Sequence, residues 1–206
     1  SKYTQQKGFF ATMPGVTHVP YPNSYRPLFA GADQGQAVLD YIENVLFQSN
    51  VPASEVAGIL IEPIQGEGGY LVPPDGFLAG LRAITQRHGI PLIFDEVVTG
   101  FRFAYGGAQE YYGVTPDLAA YGKIIGGGLP LAAAVGREDI MHGFDPRMEG
   151  TPEYVSQSGT LNGNPIAAVA GLASLAELRK PGVYERVRTI GGALMTGLRD
   201  LVKKSG

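Results

Sequence analysis

The sequence predicts an α/β fold of three layers, a mostly parallel sheet with helices on both faces. Two observations predict it. The runs 57–61, 91–94, 118–121 and 131–135 are short and apolar throughout, the pattern of strands buried on both faces. Segments with apolar residues at helical spacing alternate with them, and that strand–helix–strand rhythm builds parallel sheets.

Each element has its own signal. Residues 1–31, rich in Pro, Gly, Tyr and Phe without a period, read as an irregular leading segment. A helix over 34–48 follows from Val38, Tyr41, Ile42, Val45 and Leu46 at helical spacing. Strand 57–61 is closed by Glu62-Pro63. Asp75 is the expected N-cap of the next helix. That helix has the apolar face Phe77, Leu81, Ile84 and His88, and Gly89 stops it. The strands 91–94, 118–121 and 131–135 come next. Asn164 as cap with Pro165 at the first position starts a helix over Pro165–Leu178. Val183, Val187, Ile190, Leu194, Leu198 and Leu201 mark a last amphipathic helix. Pro181-Gly182 separates these two helices and is the expected boundary between a large domain over 1–180 and a second unit that the helix in 181–206 leads into.

Composition narrows the function. With 206 residues the chain can bury a full core. The charged fraction of 17% lies below the usual ~25%, which points to surface covered by another subunit. The 30 glycines follow no period, so they read as tight turns and close backbone approaches rather than low complexity. A net charge of −3 without any Lys/Arg run argues against nucleic acid as the main partner. No apolar run in the sequence reaches the ~18 residues of a membrane span. Residues 1–10 lack a signal-peptide layout. The absence of Cys removes disulfide and thiolate chemistry and fits a reducing cytoplasm.

The chemistry concentrates in two motifs. Ile93-Phe94-Asp95-Glu96-Val97 reads as a buried strand whose acids emerge at its carboxyl end, where open α/β sheets bind ligands. One acid faces the site and alternation turns the other away; the alternative is a helix cap or a salt bridge at the sheet edge. Lys123 follows 28 positions after Asp95, after Gly122 and before Gly126-Gly127-Gly128. It reads as an amine presented by an open loop and made nucleophilic by burial, or as an ordinary solvated lysine. An amine nucleophile and a fixed anion on one sheet are what pyridoxal 5'-phosphate requires, one for the aldehyde and one for the ring nitrogen. Two further loops qualify. Glu62–Gly69 places Glu67 at the same sheet edge, or is a Gly-rich turn with exposed acids. Ser158–Pro165 starts a helix, or offers Thr160 and backbone N–H groups to a phosphate. The Walker spacing is absent, there is no G-x-S-x-G elbow, and His18, His88 and His142 lack metal spacing.

These motifs resemble the class III aminotransferases, enzymes with the fold-type-I PLP-dependent transferase architecture. The resemblance runs through Ile59–Pro63, Ile93–Arg102, Gly113–Asp117, Gly122–Pro130 and Gly159–Pro165, covering nearly the whole chain. Phe101–Gly107 with Gln109-Glu110 is similar to glutamate-1-semialdehyde 2,1-aminomutase, as is Val98 where many class III enzymes have Gln. Glu67 and Thr17–Pro22 instead resemble the ω- and 4-aminobutyrate branch.

The resemblance implies roles. Lys123 forms the Schiff base with pyridoxal 5'-phosphate, Asp95 pairs with its ring nitrogen, Val97 packs on the ring, and Thr160 binds its phosphate across a homodimer interface with a shared site. Glu67 lies at the substrate entrance. The expected reaction is amino transfer between an amino compound and a keto acid or aldehyde. An intramolecular aminomutase or a racemase is the enzyme alternative, and an inactive structural or interaction module is the alternative of another class. The family's phosphate-cradling turn, its ring-stacking aromatic and most of its small domain have no counterpart here, so the expectation is a partial chain with a large domain incomplete at its N-terminal side.

Overall fold

The computed structural model describes residues 7–9 and 13–205. The leading-segment expectation for 1–6 and 10–12 therefore lies outside the described residues; the described part up to residue 33 is free of helix and strand. Helix α1 opens at Gln34–Asp40, where Asp33 accepts a hydrogen bond from Gln36 N–H and caps it. It continues through a π turn at Tyr41–Leu46 and ends at Phe47–Ser49. Val38, Leu39, Ile42 and Leu46 are buried, whereas Val45, expected on the same face, is 50% exposed. The π turn widens the repeat there, and a plain helical period does not foresee that.

Strand β1 is Ile59–Ile61 and helix α2 is Phe77–His88. Asp75 is not its cap. Gly76 holds the cap position in a left-handed conformation (φ 78°) and no side chain caps the helix. The chain turns too tightly for a residue with a Cβ to take that φ without strain. Gly89 ends the helix as expected, again left-handed. Strand β2 is Leu92–Glu96, helix α3 is Gly107–Tyr112, β3 is Leu118–Tyr121 and β4 is Ala133–Gly136. The sheet order is β1-β2-β3-β4, with β4 antiparallel to β3 and the other pairs parallel. Helices lie on both sides of this mixed sheet. Helix α4 is Glu138–Met141, α5 is Pro165–Leu178 and α6 is Val183–Ser205. Asn164 caps α5 through Ile166 and Ala167 N–H, as the sequence predicts. No helix among the described residues is long and apolar enough to cross a membrane.

The core fills the space between α1, α2 and one face of the sheet. Phe77, Leu78, Leu81 and Ile84 of α2 meet Leu92 and Phe94 of β2 and Ala119 and Tyr121 of β3. Burial alternates along β2: Leu92, Phe94 and Glu96 are buried while Ile93 and Asp95 are half-buried. Asp95 therefore points away from the core.

At the opposite end of these strands, Asp117 ties the sheet together. Its carboxylate is 3% exposed and accepts from Arg82 at 2.5 and 3.2 Å, from Arg137 at 2.9 Å and from Leu92 N–H at 2.8 Å. One side chain thus joins α2, the first residue of β2 and the end of β4. Burial alone would raise its pKa, but hydrogen bonds from Arg82, Leu92 and Arg137 outweigh it and hold the carboxyl far below the usual carboxylate range. A depressed pKa stabilises the fold above the unfolded-state carboxyl pKa and loses that contribution as pH falls. Asp117→Ala leaves Arg82 partly buried without a partner and is expected to cost about 3 kcal/mol at neutral pH. Urea unfolding should show the difference between variant and wild type narrowing below roughly pH 4; a pH-independent difference would contradict the role of the carboxylate charge.

Candidate active site

The site forms at the carboxyl ends of β2 and β3. In the parallel register Asp95 lies opposite Ala120, and Lys123 is three residues further along. Adjacent strands are ~4.8 Å apart and rise ~3.3 Å per residue, which puts the two backbones within roughly 11 Å. The chain between them stays close: a Cβ at Gly122 would lie 3.2 Å from Val97 Cγ1. Gly122 thus lets β3 leave the sheet directly beside Val97. Val97 N–H in turn donates to Asp95 Oδ1 at 3.0 Å, which fixes the carboxylate at the turn after β2.

Lys123 opens a 3-10 turn, Lys123–Gly126, with φ 51°. Few residues other than Gly adopt this left-handed region, and strain of this kind collects at functional positions. The turn is wedged on α5. A Cβ at Gly127 would come 2.9 Å from Ala170 O, and one at Gly171 would come 2.8 Å from Ile125 O. The lysine side chain is exposed. Burial as the source of its reactivity is therefore corrected: the backbone is gripped on both sides while the residue itself is exposed.

Asp95 lines a cavity of about 660 Å³ together with Glu62 and Gln65 of the loop after β1, and His18 and Tyr21 of the leading segment. Tyr21 straps that segment down, donating from its hydroxyl to Pro63 O at 3.0 Å, and burial pushes its phenol pKa up. Glu62 accepts from Gly66 N–H at 2.7 Å, and a Cβ at Gly66 would lie 3.3 Å from Val98 Cγ2. The loop after β1 therefore rests on the turn after β2. Glu67 is exposed at its tip. Thr160 is exposed in the turn before α5. Neither Thr160 nor Lys123 lines the cavity with Asp95. The structure thus groups Asp95, Val97 and the Lys123 turn, sets Glu67 on the adjoining loop, and leaves Thr160 on its own surface turn.

Glu96 separates from Asp95 as alternation requires. It is fully buried and accepts from Thr99 Oγ1 at 2.7 Å, Ala108 N–H at 2.7 Å and Gln109 N–H at 3.0 Å. The cap reading holds for this acid. Helix α3 itself is missed by periodicity: its six residues, with Ala108 as their one aliphatic side chain, carry no apolar stripe, and its anchor is a carboxylate eleven residues upstream of its first residue. The glycine pair Gly106-Gly107 was the available signal for a chain that turns against something.

The Aminotransferase class-III family matches residues 1–206. Over 165 residues the chain is 50% identical to glutamate-1-semialdehyde 2,1-aminomutase 2 of Brevibacillus brevis, covering 80% of this chain and 37% of that protein. An omega-transaminase of Sphaerobacter thermophilus is 38% identical with a TM-score of 0.72, over 86% of this chain and 41% of its own. An (S)-enantioselective omega-transaminase of Thermomicrobium roseum is 27% identical with a TM-score of 0.83, over 97% of this chain and 44% of its own. The chain thus spans well under half the length of each.

Proposed function

The chain belongs to the class-III aminotransferase family, and from that premise we propose that it carries the cofactor-binding part of a pyridoxal 5'-phosphate-dependent enzyme that transfers an amino group between an amino compound and a keto acid or aldehyde. The observation that carries the reading is the placement of Asp95 and Lys123 at the carboxyl ends of adjacent parallel strands, with Val97 against Gly122 between them. The donor set fits the cofactor: an exposed amine for its aldehyde, a half-buried carboxylate for its ring nitrogen, and an apolar side chain for the ring face.

When bound, pyridoxal 5'-phosphate supplies an electrophilic carbon and a positively charged ring that draws electrons from the substrate. The protein's residues do the rest. Lys123 Nζ would serve as the nucleophile toward the cofactor's aldehyde and would carry a proton from the substrate carbon to that aldehyde-derived carbon. Asp95 holds a proton at the ring nitrogen. Val97 packs on the ring and excludes water from that face. Thr160 binds the phosphate across a homodimer interface, which agrees with its isolation on an exposed turn. Glu67, on the loop that rests on Val98, borders the substrate entrance. The large domain extends over 1–180, and α6 leads into a second one.

The test is borohydride trapping of the cofactor on the protein, followed by peptide mapping and an amino-transfer assay. Label on Lys123 with transfer to a keto acid supports the reading; folded protein without label would leave a structural module. The 50% identity to an aminomutase favours one second reading, an intramolecular amino shift, and turnover without any external keto acid would establish it. Thr160→Ala is expected to weaken cofactor affinity by one charge-assisted hydrogen bond, ~1.5–3 kcal/mol. Fluorescence titration checks it, and an unchanged affinity would reduce Thr160 to part of a helix start.

A further inference from the structure

Glu96 is a fully buried ionisable group outside the proposed chemistry. An isolated buried carboxylate is costly, so its partners must explain why it is there. Three donors converge on it: the Thr99 hydroxyl and Ala108 N–H on Oε2, and Gln109 N–H on Oε1. The backbone is shaped to fit. Gly107 is left-handed (φ 76°), and a Cβ there would lie 2.6 Å from Glu96 Oε2. A Cβ at Gly100 would fall 2.7 Å from Glu96 O and into the Tyr121 ring.

These contacts reach both halves of the site. On one side, Glu96 follows Asp95 directly and begins the turn holding Val97, which Gly100 N–H closes onto Glu96 O at 2.8 Å. On the other, Gln109, whose N–H the carboxylate holds, donates from Nε2 to the Tyr121 hydroxyl at 2.5 Å. Tyr121 is the last residue of β3, two before Lys123, and its ring packs on left-handed Phe101 at 5.4 Å. Burial and the nearby Glu96 charge both raise the Tyr121 phenol, which keeps it a neutral hydrogen-bonding group.

We propose that Glu96 is a positioning residue: through α3 and the Gln109–Tyr121 bond it locks the ends of β2 and β3 together and so sets the spacing between Asp95 and Lys123. The inference rests on the roles proposed for that pair. Glu96 itself faces the core and touches no reacting atom.

Glu96→Gln tests it. Wherever its amide nitrogen lies, it meets a backbone N–H in place of an acceptor, so one bond and the charge are lost. Pyridoxal phosphate is added to the protein, trapped with borohydride across a pH series, and quantified on the Lys123 peptide. Amide hydrogen exchange at Ala108 and Gln109 is followed in parallel. The expected result is faster exchange at both amides together with a shift of the trapping midpoint, because the amine no longer keeps its wild-type distance from the Asp95 carboxylate. Ile90→Ala, a truncation of a buried residue at the opposite end of β2 from these contacts, should lower the melting temperature without moving the midpoint. If Glu96→Gln loses protection at Ala108 and Gln109 but traps with the wild-type midpoint, Glu96 only caps α3 and the proposal is overturned. If Glu96→Gln does not fold, Glu96→Asp keeps the charge and withdraws the oxygens by one methylene; its midpoint decides in the same way. Wild-type protein that carries no label on Lys123 would instead refute the Lys123 role, and this inference with it.

Discussion

Lys123→Ala is expected to abolish borohydride-trapped cofactor on the protein and to lower amino transfer by roughly 10³-fold or more, since one substitution removes both the nucleophile and the proton carrier. The structure argues that the loss will be chemical and not a folding defect. The lysine side chain is exposed, and the turn around it is held by contacts of Gly122 with Val97 and of Gly127 and Gly171 with neighbouring backbone. None of these involves the amine. Alanine pays the same left-handed strain at φ 51° as lysine, so the melting temperature should stay near the wild-type value. Lys123→Arg retains the positive charge and should be as inactive, because a guanidinium does not deprotonate in the accessible range. Transfer within tenfold of wild type in either variant, or label on another lysine, would remove Lys123 from its role.

Much of the sheet was legible in the sequence because buried parallel strands announce themselves as solid apolar runs. Leu118–Tyr121 and Pro165–Leu178 match their expected bounds. The departures have physical causes. Val45 is exposed because a π turn breaks the helical repeat, and no residue type marks that turn. Asp75 is not a cap because the left-handed φ at Gly76 sets the helix start. Helix α3 depends on Glu96, a partner distant in sequence that no local pattern displays. At the site, the motif pair Asp95 and Lys123 pointed to one sheet edge, and the parallel register brings them there. The exposure of Lys123 was not legible, since its apolar neighbour Ile125 is buried in the core cluster, with its carbonyl against Gly171 of α5, instead of covering it. The Asp117 junction also escaped, because Arg82, Leu92 and Arg137 converge on it from separate stretches of chain.

Asp95→Asn separates charge from shape. The asparagine carbonyl can still accept from Val97 N–H, which Asp95 Oδ1 does at 3.0 Å, and the residue is only half-buried, so the turn and the fold should persist. What disappears is the anion that holds a proton on the ring nitrogen. Removing one preorganised electrostatic partner of a developing charge typically costs 10²–10³-fold in rate, and a drop of about that size is expected here. Cofactor affinity should fall by much less, because the phosphate and Lys123 contacts remain. The pH dependence follows from the sign of the effect. An anion beside the ring nitrogen raises its pKa, so its loss lets the proton leave at lower pH. Residual activity of the variant should therefore rise as pH falls, over a range where the wild type stays flat. A cofactor analogue methylated at that nitrogen carries a permanent positive charge and should restore part of the lost rate in Asp95→Asn while giving nothing to Lys123→Ala. An Asn variant with wild-type turnover and an unchanged pH profile would show that the Asp95 charge takes no part, and the pairing of amine and carboxylate across β2 and β3 would lose its chemical meaning.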